Sequence, residues 1–449
     1  MITFLIIFIV SQLELFQDET QISSFISLRS FYRFRDKSDF VSPYTIGNRA
    51  FLKVSTPILD GNANIAGDFY YKTSFTELSQ SVILSLREAN FKKDFGVMRT
   101  AIGVQVNSWG RTDFSPVDVL NPPNLSELFF NDIEVLRVPM FQLLIGFPVL
   151  KQIDIELIYE PFFEPAFLPS MFSEWSYIIG SQDSERVNIL RNTLGDVGFN
   201  VKKPSFPQSS QFGGSIYSKN IGVYLFYGLE HIPPPSFETG LRGSLNSQNA
   251  SITKKLKTMS IEELAEPVLS VNQPPVELKP ARYFMIGTSL EKEFNGTSLK
   301  SDVAFFLGRQ FLNERFETVK NPQLQVSVQA ERFFGKHFFI GEVVPSVIFV
   351  DNRIPEKNYR FLGQRALNTQ FISNLISRWR KDFLTYITFV MAPQDEWGYV
   401  ARFQIETELW KVKVYPNISL FGNLGGEDSD IGSLKNKSFI GLWAKHYIM

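Results

Sequence analysis

The chain has 449 residues, with 45 basic and 46 acidic side chains, three histidines and no cysteine. A near-zero net charge gives no electrostatic case for nucleic acid. Absence of cysteine excludes disulfide frameworks, thiolate zinc sites and cysteine nucleophiles.

The N-terminus reads ITFLIIFIVSQLELFQ. Its apolar stretch, Ile2–Val10, is too short to span a bilayer but has the length of a signal-peptide core. No Lys or Arg precedes it and no A-x-A site follows. Residues 1–19 are read as a signal peptide with a short N-terminal segment, and residues 20–449 as one domain. No other segment reaches the roughly 18 uninterrupted apolar residues of a transmembrane helix.

From there, segments of period two recur to the C-terminus. Ile22, Ser24, Ile26, Leu28 and Tyr32 oppose Phe25, Ser27, Arg29 and Arg33. Ile46, Ala50, Leu52 and Val54 oppose Thr45, Arg49 and Lys53. Further strands are predicted near 63–72, 80–88, 98–106 and 133–147. The clearest follows in KQIDIELIYEP, where Ile153, Ile155, Leu157 and Tyr159 oppose Gln152, Asp154, Glu156 and Glu160. One oily and one charged face means a sheet whose two sides meet different solvents. Phenylalanine is also abundant, at 44 residues, as expected where rings face lipid.

The second half continues with strands at 211–217, 221–230, 283–292, 298–309, 324–334, 337–350, 367–378, 383–391, 399–408, 410–421 and 438–448. Near the end, Tyr399, Ala401, Phe403 and Ile405 oppose Arg402, Gln404 and Glu406. Trp410, Val412, Val414, Ile418 and Leu420 oppose Lys411, Lys413, Asn417 and Ser419. The count is about eighteen, with sixteen as the alternative. The weakest is 367–378, whose Leu367, Phe371, Leu375 and Trp379 also fit a helix stripe.

The connections alternate between short and long. Short ones fall at 148–150, 219–220, 294–297, 335–336, 379–382 and 409. Long ones fall at 107–132, 162–210, 231–282, 310–323, 351–366 and 422–437. Tight turns on one rim and long loops on the other predict an all-β transmembrane antiparallel barrel, with periplasmic turns and extracellular loops. Two of the long loops read as carrying helices, at 184–194 and, from the capping box at Ser260, at 261–266. The stretch His231–Phe237, HIPPPSF, reads as stiff and polyproline-like.

One stretch stands apart from this periodicity. In Trp109–Pro122 the run W-G-x-x-D-x-S-P-V-D-x-x-N-P is formed by Trp109, Gly110, Asp113, Ser115, Pro116, Val117, Asp118, Asn121 and Pro122. Arg137–Met140 follow as R-V-P-M, and a strand ending Tyr159-Glu160-Pro161 closes the segment. This resembles a little-characterised family, of the domain-of-unknown-function type, of large Gram-negative outer-membrane channel-like barrels. The resemblance is specific over roughly fifty residues and architectural elsewhere. It implies an outer-membrane barrel and suggests hydrophobic or lipid-like cargo; it supplies no catalytic residues. The chain departs from the barrel norm in ending Ile448-Met449 rather than on Phe.

Arg111, Asp113 and Asp118 are the constriction candidates, on a loop that either folds inward as a charged filter or simply makes turns. Pore-lining candidates are Asp154, Glu156, Glu160, Arg29, Arg33, Arg49, Arg402, Glu406, Lys411 and Lys413. Their mixed signs argue against strong ion selectivity. His231, His337 and His446 lie on separate elements without metal or hydrolase spacing, and no G-x-S-x-G occurs, so no catalytic residue, metal or cofactor is predicted. Glu427, Asp428 and Asp430 form an acidic loop cluster. Met171, Phe172, Trp175 and Tyr177 are apolar loop residues. The expected function is a porin-like channel for small or partly hydrophobic solutes in a bacterial outer membrane. The alternatives are a plugged barrel that binds a partner or another cell, and a lipid conduit. Expected partners are outer-membrane lipids and lipopolysaccharide, the barrel-assembly machinery, and a protein at the long loops.

Overall fold

The computed structural model describes residues 21–33, 44–74, 80–124, 136–150, 152–167, 200–233, 235–237, 276–312, 318–349, 367–392, 398–423 and 438–448. The first seven strands are β1 Gln21–Arg33, β2 Tyr44–Ile58, β3 Gly61–Ser74, β4 Gln80–Asp94, β5 Arg99–Gln105, β6 Met140–Leu150 and β7 Ile153–Glu160. Next come β8 Asn200–Val201, β9 Gln211–Ser218, β10 Ile221–Leu229, β11 Pro235–Phe237, β12 Val276–Leu278, β13 Arg282–Phe294 and β14 Thr297–Leu312. The last are β15 Thr318–Phe334, β16 His337–Ile348, β17 Leu367–Arg380, β18 Phe383–Ala392, β19 Gly398–Leu409, β20 Val412–Asn423 and β21 Phe439–Ile448.

Eighteen of these pair antiparallel with their sequence neighbours, and β21 returns to β1 over Arg33↔Phe439 to Ser24↔Ile448. The sheet is therefore a closed barrel without edges, the form in which strands can cross lipid. At about 4.8 Å per strand and about 40° of tilt, eighteen strands close a ring about 35 Å across. The remaining short strands β8, β11 and β12 form a separate three-stranded sheet. Among the described residues no helix is long and apolar enough to cross a membrane.

Alternation assigns the faces. On β10, Val223, Leu225 and Tyr227 are exposed, while Tyr224 and Phe226 between them are buried. Exposed aliphatic and aromatic side chains recur at cross-strand partners around the barrel, such as Leu225↔Ile286 and Phe284↔Leu307. The outer wall is thus apolar, and the polar and charged side chains turn inward.

Eight short turns occupy one rim, shared by the start of β1 and the end of β21; nine longer connections occupy the other. Asn295 and Gly296 both have positive φ, as a two-residue hairpin requires. Leu59-Asp60 and Trp410-Lys411 adopt the same left-handed pair without glycine.

Several expectations are corrected. Residues 148–150 belong to β6, because their pairing with β7 continues to Leu150. The strand expected at 133–147 begins only at Met140, because Arg137 and Val138 bond back to Pro122 and Pro123 instead. The loop expected at 310–323 shrinks, since β14 and β15 remain paired to Leu312↔Thr318. Trp410 and Lys411 form a turn rather than the start of a strand, so Lys411 stands on the rim, not on the lumen wall. Within the HIPPPSF stretch, Pro235–Phe237 pair with β12 as a strand instead of a free polyproline helix. The weakest prediction, at 367–378, is a strand paired on both sides. The presumed signal, both predicted helices, the 171–177 apolar residues and the 427–430 acidic cluster lie outside the described residues.

Candidate functional site

The described part of the connection after β5, residues 106–124, folds into the barrel. Its residues Trp109, Val117, Val119 and Leu120 form a buried cluster with Ile158, Tyr224, Phe226, Tyr283, Met285, Ala304 and Phe306. Those wall residues point inward from β7, β10, β13 and β14, so the loop packs inside the lumen against one arc. Two wall glycines make room. A side chain at Gly213 would come within 2.6 Å of the Trp109 ring, and one at Gly287 within 2.3 Å of Val117.

The motif residues hold this conformation. Trp109 Nε1–H donates to Glu156 Oε1 at 2.9 Å. Gly110 has a φ of 92°, and a Cβ there would collide with Ser115. Asp118 accepts from the Trp109 N–H at 3.3 Å and pairs with Arg137 on the returning limb. Asn121 clamps both limbs: its Oδ1 accepts from Asn107 N–H, while its Nδ2–H donates to Gln105 O and Val138 O. Burial pushes the Asp118 carboxyl up to about 6, opposed by Arg137 and the Trp109 N–H.

Beyond Gly110 the loop tip reaches wall groups that are remote in sequence. The N–H groups of Arg111 and Thr112 and the Thr112 hydroxyl all donate to Asp302 Oδ2, at 2.8, 2.9 and 2.8 Å. Asp113 N–H donates to Gln329 Oε1, and Phe114 N–H to Glu342 Oε1. Arg111 Nη1 pairs with Glu291 at 2.7 Å, and its Nη2–H donates to Ser218 O. Asp302 and Glu342 are buried, yet Phe114 remains 52% exposed at the tip. A half-exposed phenyl ring thus stands inside the lumen on a residue whose backbone N–H is held by a wall carboxylate.

A second tie joins three long connections. His231 stacks on Phe163 with ring centroids 5.6 Å apart. Its Nδ1 lies 2.9 Å from Glu164 O, and its Nε2 lies 3.3 Å from Val119 O in the inward loop. Burial pushes the ring's pKa down to about 4.

The sequence candidates separate by role. Asp113 has an exposed side chain at the tip. Arg111 and Asp118 are engaged in fastening the loop. Asp154 pairs with Arg99 at 2.7 Å, and Glu160 is buried between the side-chain amides of Gln142 and Gln211. On the far arc, Arg49 grips Asp68 with two bonds of 2.8 and 3.0 Å, and Arg87 lies 3.5 Å from the same carboxylate. Arg29 and Arg402 lie over the Trp443 ring at 5.1 and 4.5 Å. Glu406 accepts from Tyr386 and Lys413. Arg33 stands opposite Phe439 in β1, and its side chain is outside the described residues. Sequence reading missed Asp302, Gln329, Glu342, Glu291, Phe114 and His231. Polar wall residues at period-two positions, three acids and one amide, were the available signal for the first four, but nothing local says that a loop lands on them.

A closed eighteen-stranded antiparallel barrel with an inward loop has the architecture of large outer-membrane barrels. Among solved structures, Acinetobacter baumannii OccAB1 aligns with 96% of this chain and 97% of its own, at 7% identity and a TM-score of 0.50. Pseudomonas aeruginosa OccK5 (OpdH) aligns at 8% identity over 96% and 99% of the two chains, with a TM-score of 0.49. The outer membrane protein OpdK from Pseudomonas aeruginosa aligns at 8% identity over 95% and 98%, with a TM-score of 0.48. The likeness to OccAB1 is one of fold. No protein-family description and no curated protein matches the sequence.

Proposed function

We propose that the chain is a porin-like channel of a bacterial outer membrane, passing small or partly hydrophobic solutes through a lumen narrowed by the inward loop at 107–124. One observation carries this reading: the loop is bonded to a single arc of an eighteen-stranded wall and presents Asp113 and Phe114 at its tip. A barrel of this size holds more space than wall side chains alone can fill. The opposite arc supplies Arg29, Arg49, Lys53, Arg87, Arg402, Lys413 and Lys445, against Asp68, Glu88 and Glu406. Solutes passing the tip would therefore meet an acid and a ring on one side and, on the other, the part-exposed Lys53, Arg402, Lys413 and Lys445, while Arg29 and Arg49 stay buried in the wall. On this reading the chain belongs with the little-characterised barrel family that its Trp109–Pro122 motif resembles.

A second reading is favoured by one fact. Arg29 and Arg49 are only 3% and 4% exposed, as expected if loops plug the lumen in a partner-binding barrel. Liposome swelling separates the two. Proteoliposomes of folded protein that swell in small sugars and in aromatic carboxylates support the channel. Swelling no faster than in empty liposomes favours the plug.

A further inference from the structure

On the short-turn rim, one patch of the outer wall breaks the apolar pattern. Register places Phe294, Thr297, Arg332, Phe339 and Leu375 in one outward row across β13 to β17. Phe294 and Phe339 are exposed, as lipid-facing residues are. Arg332 is the charge in that row. One step nearer the rim, Phe334, His337 and Ser377 form the next outward row.

The rim turns add two features. Lys336 Nζ lies 3.9 Å over the Trp379 ring, and Arg332 Cζ lies 5.0 Å over Phe334. The two hairpins are joined by Arg378 N–H donating to Lys336 O at 2.9 Å, and by His337 Nδ1 lying 2.8 Å from Ser377 Oγ. Lys381 is exposed in the neighbouring turn. Among the described residues neither Arg332 nor Lys336 has a carboxylate within salt-bridge distance. A guanidinium and an ammonium, laid on rings at the end of a lipid-facing wall, fit an anionic group at the hydrocarbon boundary.

We propose that Arg332 and Lys336, backed by Phe334 and Trp379, bind the phosphate of an anionic glycerophospholipid in the leaflet at the short-turn rim. The site rests on the barrel being membrane-embedded, as proposed above. Free phosphate would not need the rings or the lipid-facing rows beside them; a phospholipid uses both, because its acyl chains lie along Phe339 and its neighbours.

The test is native mass spectrometry of the folded full chain in detergent, with phosphatidylglycerol or phosphatidylcholine added. Two cations near a lipid surface give about a tenfold preference or more for the anionic lipid. The R332A/K336A protein should lose that preference. R332K/K336R should keep it, and so should K219A, which removes a cation from another turn of the same rim. Equal retention of phosphatidylglycerol by wild type and R332A/K336A would overturn the proposal. So would a preference for lipid A over phosphatidylglycerol. Binding of polyglutamate that is lost in R332A/K336A, while lipid retention persists, would reassign the patch to an acidic protein. If wild-type protein does not enter phosphatidylglycerol vesicles at all, the membrane reading itself falls, and this site with it.

Discussion

Asp302 sits on the wall, about 190 residues from the loop it holds, and its removal should release that loop. In Asp302→Ala, three donors lose one carboxylate oxygen: the N–H groups of Arg111 and Thr112 and the Thr112 hydroxyl. Bonds to a buried charged acceptor contribute about 1.5 kcal/mol each at the low end. The docked tip therefore loses about 4.5 kcal/mol, which raises its undocked population about two-thousandfold. Limited trypsinolysis reads this directly, because cleavage after Arg111 tracks the open population when opening is fast. Wild-type protein should resist cleavage there. The D302A protein, shown to be folded by its heat-modifiable gel mobility, should be cut rapidly and should conduct more noisily. V303A, on the outward face of the same strand, should behave as wild type. Equal resistance of folded D302A and wild type would refute the anchoring role.

Three further outcomes follow from the same geometry. Gly287→Ala places a methyl 2.3 Å from Val117, so it should destabilise docking by about 1–3 kcal/mol; a trypsin sensitivity no greater than wild type would contradict this. Phe114→Ala should leave the thermal midpoint nearly unchanged but weaken block of the channel by aromatic solutes, measured as a rise in half-blocking concentration; unchanged block would remove the ring from the solute path. His231 has a lowered pKa, so its contribution is full above its ordinary 6.5 and is lost as pH falls through about 4. Acidification should therefore loosen the tie between His231, Glu164 and Val119 and increase channel noise. Asp118, raised to about 6, contributes with the opposite slope, so H231N is the reference. A wild-type pH profile identical to that of H231N would refute the His231 part.

Periodicity made the wall legible. Each of the eighteen strands rests on alternation that its own residues display, and even 367–380, ambiguous by itself, is settled by neighbours on both sides. Errors fell where alternation meets a turn. Trp410-Lys411 read as strand because Trp and Lys alternate correctly with Val412 and Lys413, yet the chain reverses there. The run before Met140 is apolar like a strand, but Val138 and Arg137 bond to the loop. The motif's residues marked Trp109–Pro122 as special without revealing where the loop goes. That depends on Asp302, Gln329 and Glu342, which any polar-lined wall would carry. Arg111 and Asp118 read as either a charged filter or turn residues, and their pairing with Glu291 and Arg137 was not legible because those partners are distant or hidden among ordinary wall residues.

Conduction through a lumen narrowed by an anchored loop is tested most directly by single-channel recording in a planar bilayer. Stable ohmic steps from purified, folded wild-type protein are predicted, with larger and noisier steps from D302A. A folded protein that inserts into the bilayer and stays electrically silent, in both wild-type and D302A forms, would contradict it.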